Sequence, residues 1–165
     1  MERARHLVLL VALASSLAGC GSDPADVEGV WSVNLTNGAD QCMVGSSSWM
    51  EGASTSGVPL TITQDGASAT GTLDGVAGTY ADVAFGSRTF TGTVSGSHVD
   101  MRLTGRASSV GGCAYTLVAD LEADVSGDTM SGRIVWHADT NSSPDCMHLA
   151  TCENVQAMNG ARPPR

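Results

Sequence analysis

From residue 29 onward the chain alternates apolar and polar positions. In CAYTLVADLEADV, residues 113–125, one face carries Cys113, Tyr115, Leu117, Ala119, Leu121, Ala123 and Val125, and the other carries Thr116, Asp120, Glu122 and Asp124. That period of two is what a half-buried strand requires, because successive side chains leave a pleated backbone on opposite sides. The same period runs through Trp31/Val33/Leu35, Val58/Leu60/Ile62, Phe90/Gly92/Val94, Val99/Met101/Leu103 and Met130/Gly132/Ile134/Trp136, with Thr, Ser, Asn and Arg filling most alternate positions. No segment after residue 20 carries a helical period. The pattern predicts eight strands, at about residues 29–36, 58–64, 67–74, 89–96, 98–106, 113–126, 129–139 and 152–161. TYADVAF, residues 79–85, is a ninth candidate. An antiparallel meander closes its last strand on its first only with an even number, so residues 75–88 read as a loop or a side hairpin.

The joins between these strands fall into two classes. Joins two–three, four–five and six–seven are tight, with QDG, SGS and SGD between alternating runs, which is a hairpin signal. The others, residues 37–57, 75–88, 107–112 and 140–151, are longer. In an up-and-down meander the two classes lie at opposite ends. The expectation is an all-β fold: a single antiparallel up-and-down barrel with a tight end and a loop end.

The N-terminus has a different character. Residues 1–6 carry Arg3 and Arg5, and residues 7–18 are twelve small or apolar residues, too short to cross a hydrocarbon layer of about 30 Å as a helix. This is the pattern of a secretion signal. The run ends in Leu17-Ala18-Gly19-Cys20, which resembles the lipobox of bacterial lipoproteins. The resemblance implies a signal peptide over residues 1–19, cleavage before Cys20, lipidation of the Cys20 thiol and anchoring of the chain to a membrane of the cell envelope. Gly21, where an Asp would favour the inner membrane, implies the outer one. Residues 20–28 read as a Gly/Ser/Asp/Pro-rich tether reaching at most about 30 Å, and residues 29–162 as the barrel. Loss of Glu2, Arg3 and Arg5 with the signal takes the formal charge from −9 to −10 and leaves only Arg among the basic residues. With no Lys and no basic cluster, nucleic acid is excluded as a partner.

Gly29-Val30-Trp31 opens the first strand and Arg162 follows the last. Together they resemble the calycins, the lipocalin and avidin-like group of small ligand-binding barrels, in which a Gly-x-Trp opening packs against an Arg. The resemblance implies a barrel over about residues 28–162 with Trp31 and Arg162 as a plug at the tight end. The C-terminal helix usual in lipocalins and the biotin-site pattern of avidins are both missing, so neither ligand class carries over.

An exported chain meets an oxidising compartment, so Cys42, Cys113, Cys146 and Cys152 are expected to pair. In the meander, strand seven ends near the start of strand six, bringing Cys146 towards Cys113. Strand eight begins near the end of strand one, bringing Cys152 towards Cys42. The alternative, Cys146–Cys152 with Cys42–Cys113, stays open.

Candidate chemistry is sparse. Asp139, Asn141, Ser143 and Asp145 have the spacing of a calcium loop, but Pro144 stands where that loop needs Gly and Ala150 where it needs the closing Glu. The ligand set for a metal is missing, and nothing calls for a cofactor. The Ser-rich stretches GSSSW and GASTSG lack a strand-to-helix elbow, and Asp120, Glu122 and Asp124 alternate outward, so no catalytic machinery is expected. The aromatics are informative instead. Only Trp31 maps to the tight end. Phe90, Tyr115 and Trp136 fall on inward positions near the loop end, and Trp49, Tyr80 and Phe85 lie in its loops. Inward Gly92, Gly132, Ala119 and Ala123 offer room. The candidate site is therefore Trp49, Met50, Phe90, Tyr115 and Trp136, binding an apolar small molecule or lipid, with residues 37–57 as a lid. The alternatives are a protein-interaction module, such as a periplasmic protease inhibitor using Trp49-Met50 as an anchor, and a structural envelope lipoprotein without a ligand.

Overall fold

The computed structural model describes residues 23–42 and 49–164. The signal peptide expected over residues 1–19 and the lipidation expected at Cys20 lie outside the described residues. Within them the alternating runs form eight strands, β1 (Gly29–Asn37), β2 (Ser54–Asp65), β3 (Ser68–Leu73), β4 (Thr89–Ser95), β5 (His98–Val110), β6 (Cys113–Ser126), β7 (Thr129–Thr140) and β8 (Glu153–Ala161). Each pairs antiparallel with its sequence neighbour, and β8 returns to β1, with Leu35 opposite Met158 and Asn37 opposite Gln156. The sheet is a closed up-and-down barrel with no free edge.

Closure works because the inward positions through the body of the barrel are apolar or glycine. Trp31, Leu60, Ile62, Phe90, Met101, Leu121, Ile134 and Met158 are all buried, and no polar or charged residue is buried among the described residues. Outward positions carry charge: Asp120 faces Arg102 and His137, Glu122 faces Arg133, and Asp124 faces His98. At the tight end the joins are two-residue turns, Gly66-Ala67, Gly96-Ser97 and Gly127-Asp128, whose glycines have φ of 58°, 56° and 59°. A positive φ at the first turn residue matches the right-handed twist of a hairpin, and glycine reaches it without steric cost.

Trp31 plugs this end. Its indole N–H donates to the Val27 carbonyl at 2.8 Å, and the Arg162 guanidinium carbon lies 4.7 Å from the ring centroid. Arg162 also donates to the carbonyls of Asp26 and Glu28 and to the Asp128 carboxylate. Residues 25–27, expected to lie within the tether of residues 20–28, dock on the barrel. Ala25 donates its N–H to Gly96, Val27 donates to the Gln64 side chain, and Val27 is fully buried. Burial of one apolar side chain draws these last residues onto the barrel.

The loop end departs from expectation in three places. Residues 75–88, read as a loop or side hairpin, contain a helix, α1 (Gly75–Ala84). Its composition is poor for a helix, with three β-branched residues and two glycines, so local propensity gives no sign of it. Packing supplies the stability instead: Gly78 and Ala81 are buried and Ala77 and Phe85 pack on the core. Gly78 lies so close to the Leu73 carbonyl that a Cβ would collide with it. The β5–β6 join, expected to be a longer loop at residues 107–112, is the two-residue turn Gly111-Gly112, because both strands continue past a bulge between Thr104 and Ala107. The first connection is shorter than residues 37–57, since β2 already begins at Ser54.

Both disulfides take the pairing favoured by topology, Cys42–Cys152 and Cys113–Cys146, and both sit at the loop end. The alternative with a local Cys146–Cys152 bridge is excluded.

Candidate functional site

The barrel interior is unequal along its axis. In the tight half, side chains interlock: a Cβ at Gly92 would fall on the Asp100 carbonyl, one at Gly132 on the Glu122 carbonyl, and Gly71 is met by Met101 and Leu60. The room expected at Gly92 and Gly132 is therefore absent, because neighbouring backbone occupies it, and Ala119 and Ala123 are buried in the core. Toward the loop end the filling stops, and a cavity of about 800 Å³ opens between Leu35, Val58 and Leu73 below and the connections above.

Aromatic side chains dominate its wall. Trp136 reaches in from β7 and Tyr115 from β6, while Tyr80 and Phe85 come from α1 and its C-terminal cap and Trp49 from the first connection. Phe85 and Trp136 stack with ring centroids 4.7 Å apart, an attractive tilted arrangement. The helix that the sequence pattern misses thus supplies one wall, with Val76, Ala77 and Ala81 completing its apolar face.

A hydrogen-bonded chain crosses the β1–β8 seam and fixes this wall. The Trp136 indole N–H donates to Gln156 Oε1 at 2.8 Å, Gln156 Nε2 donates to Asn37 Oδ1 at 2.7 Å, and Asn37 Nδ2 donates to the Met50 carbonyl at 3.2 Å. Each polar head is satisfied by another wall residue, so the rings keep fixed orientations. The start of the first connection is pinned as well. Cys42 is bridged to Cys152, and its N–H and that of Gln41 donate to Asn154 Oδ1. Trp49 donates its indole N–H to the Gly38 carbonyl at 3.0 Å, which holds the ring at the mouth in a half-buried position.

The five residues expected to form the site divide. Trp49, Tyr115 and Trp136 line the cavity together. Phe90 does not: it is fully buried below, as part of the solid core. Met50 is 64% exposed outside the lining, contributing only its carbonyl to the seam chain. Asn37 and Gln156 were not expected. Both continue the inward parity of Trp31/Val33/Leu35 and of Met158 by one more step, and that parity was the available signal; their polarity concealed it. Tyr80 and Phe85 were placed at the loop end but not at the site, for want of the helix.

Among the described residues Asp74 is the only carboxylate in the lining, and its Oδ2 accepts a hydrogen bond from Thr61 at 2.8 Å. The lining contains no Arg. Such a cup can sequester an apolar body and orient a small polar group. Compared with protein-family models, curated proteins and solved structures, the chain matches none significantly.

Proposed function

We propose that the chain is an exported lipoprotein of calycin-like build, anchored through Cys20 to the cell envelope, whose barrel binds an apolar small molecule or lipid-derived chain at its loop end. The observation that carries the binding reading is the contrast inside the barrel: a packed lower half and, above it, an aromatic-lined cavity of about 800 Å³. That size falls within the range of about 300–1,000 Å³ usual for ligand sites. A merely structural barrel has no reason to stop filling halfway, because each unfilled layer forfeits dispersion contacts. The anchoring reading is supported by the position of Cys20 after a basic start and a short apolar run.

The test is binding of an environment-sensitive apolar fluorophore to the soluble barrel, residues 23–165, exported so that both bridges form. The core residues all lie within this span, from Val27 to Met158. Binding is expected, and Trp49→Ala should weaken it by about 1–3 kcal/mol, the worth of burying one large apolar side chain. A folded barrel that binds no apolar probe overturns the reading.

One observation favours a second reading. Met50, Val76, Tyr80 and Val83 are exposed around the mouth, at 64%, 88%, 60% and 75%. An apolar rim of this kind also suits a protein-interaction module. Native mass spectrometry of protein taken from its own membranes separates the two: a small-molecule adduct supports the first, a co-purifying protein the second.

A further inference from the structure

We propose that the mouth selects its ligand by charge and takes cationic amphiphiles, apolar molecules bearing an ammonium group, over neutral or anionic molecules of equal length. The inference rests on the apolar-ligand reading above and specifies its ligand class.

Three observations converge. Among the described residues the cavity lining holds one carboxylate, Asp74, no Arg, and one histidine, His137, whose Nε2 lies 2.7 Å from Asp120, while the sequence has no Lys to offer. Asp74 Oδ2 is engaged by the Thr61 hydroxyl, and no cation among the described residues pairs with Asp74. A carboxylate beside an apolar cavity without a counter-ion disfavours an anionic guest and favours a cationic one. The second observation is the wall itself. Five aromatic side chains, Trp49, Tyr80, Phe85, Tyr115 and Trp136, line one space. Faces of such rings attract ammonium groups, and several around one cavity form the kind of cage that recognises quaternary amines.

The third is the field around the mouth. The loop-end connections carry Asp40, Glu51, Asp74, Asp82 and Asp145 against a single Arg, Arg88, which lies 3.5 Å from Asp82. Arg106, on β5, lies over Gly86 and outside the lining. Acidic groups around a concave, low-dielectric opening concentrate cations there and repel anions. A free fatty acid meets no Arg or Lys to pair with its carboxylate among the described lining residues.

The experiment uses three probes of one chain length, decyltrimethylammonium, 1-decanol and decanoate, each below its self-association concentration. They are titrated into the soluble barrel with Trp fluorescence and calorimetry as readouts. The expected order is cationic over neutral over anionic, with about tenfold between the first two, the scale of one partly solvated charge contact. The isosteric Asp74→Asn variant should reduce that ratio at least fivefold. Equal binding of the cation and the alcohol overturns the charge selectivity and leaves the apolar-ligand reading standing. So does a preference for decanoate, or a ratio unmoved in Asp74→Asn. If none of the three binds, the apolar-ligand reading fails and this inference with it.

Discussion

Trp31 tests the division of the barrel into a structural end and a binding end. The Trp31→Ala substitution removes a fully buried indole. A tryptophan buries about 200 Å², and at about 25 cal/mol per Å² that is about 5 kcal/mol of transfer free energy. Measured Trp→Ala costs in cores run at about 3–5 kcal/mol because the site partly collapses. The Val27 carbonyl also loses its donor, and the Arg162 guanidinium loses the ring it covers. The expected cost is about 4–6 kcal/mol, a large share of the roughly 5–15 kcal/mol that holds a typical domain. Trp31→Phe keeps most of the ring and loses the N–H, so it should cost only about 1–2 kcal/mol. The assay is urea denaturation of the soluble barrel, read by far-UV circular dichroism, with apolar-probe affinity measured on the folded Phe variant. Trp31 lies four residues below Leu35 on β1, about 13 Å away at the rise of a strand, with the packed core between, so affinity should stay within twofold. A cost below about 1 kcal/mol for Trp31→Ala, or a clear loss of affinity in Trp31→Phe, refutes the division.

Removing the Cys42–Cys152 bridge by paired alanine substitutions should lower stability by about 4–5 kcal/mol on the chain-entropy model, because the bridge spans a sequence separation of 110; denaturation midpoints measure it. In a non-reducing peptide map the Cys42 and Cys152 peptides should run together, and so should those of Cys113 and Cys146. Cys20→Ala should abolish fatty-acid labelling and shift the protein out of the membrane fraction, and retained labelling refutes the proposed anchor.

The parts of the fold legible from sequence were those where local pattern and tertiary demand agree. Every inward position from Val58 to Ile62 or from Leu121 to Val125 is small or apolar and ends up buried, so period alone located β2 and β6. Turn glycines located the tight end for the same reason. Helix α1 was illegible because its order comes from contact. Ala77, Gly78, Ala81 and Phe85 are spaced for one helical face, but small side chains give that face almost no hydrophobic contrast. The β5–β6 extension was concealed in the same way, since RASSV continues a strand whose residues are exposed and carry little alternation. Of the site, the sequence pattern located Trp49, Tyr115 and Trp136 but placed Phe90 one layer too high. Strand parity says which way a side chain points, whereas depth depends on where the opposite wall stops filling.

The cavity and the closure of the barrel share one seam. β1 and β8 are the strands farthest apart in sequence, and their pairing carries the highest loop-closure entropy of the fold. At the mouth end of that seam stand Cys42–Cys152, the Gln156–Asn37 hydrogen bond and the Gly38 carbonyl that holds Trp49. Whatever secures the closure also sets the shape of the cavity wall, so loosening the seam should degrade the proposed binding before it unfolds the tight half. The opposite end sets orientation. The chain enters the barrel there, with Ala25 and Val27 docked against the Gly96 turn and Gln64. In the proposed lipoprotein only residues 20–24 then remain to reach the lipid, a span of at most about 17 Å. β6, with 14 residues, runs about 45 Å from one end to the other along its own direction. The tether is too short to turn the mouth back onto its own membrane. If the barrel is anchored this way, its cavity faces the aqueous compartment, and the proposed ligand would be taken up from there, not from the leaflet that holds the anchor.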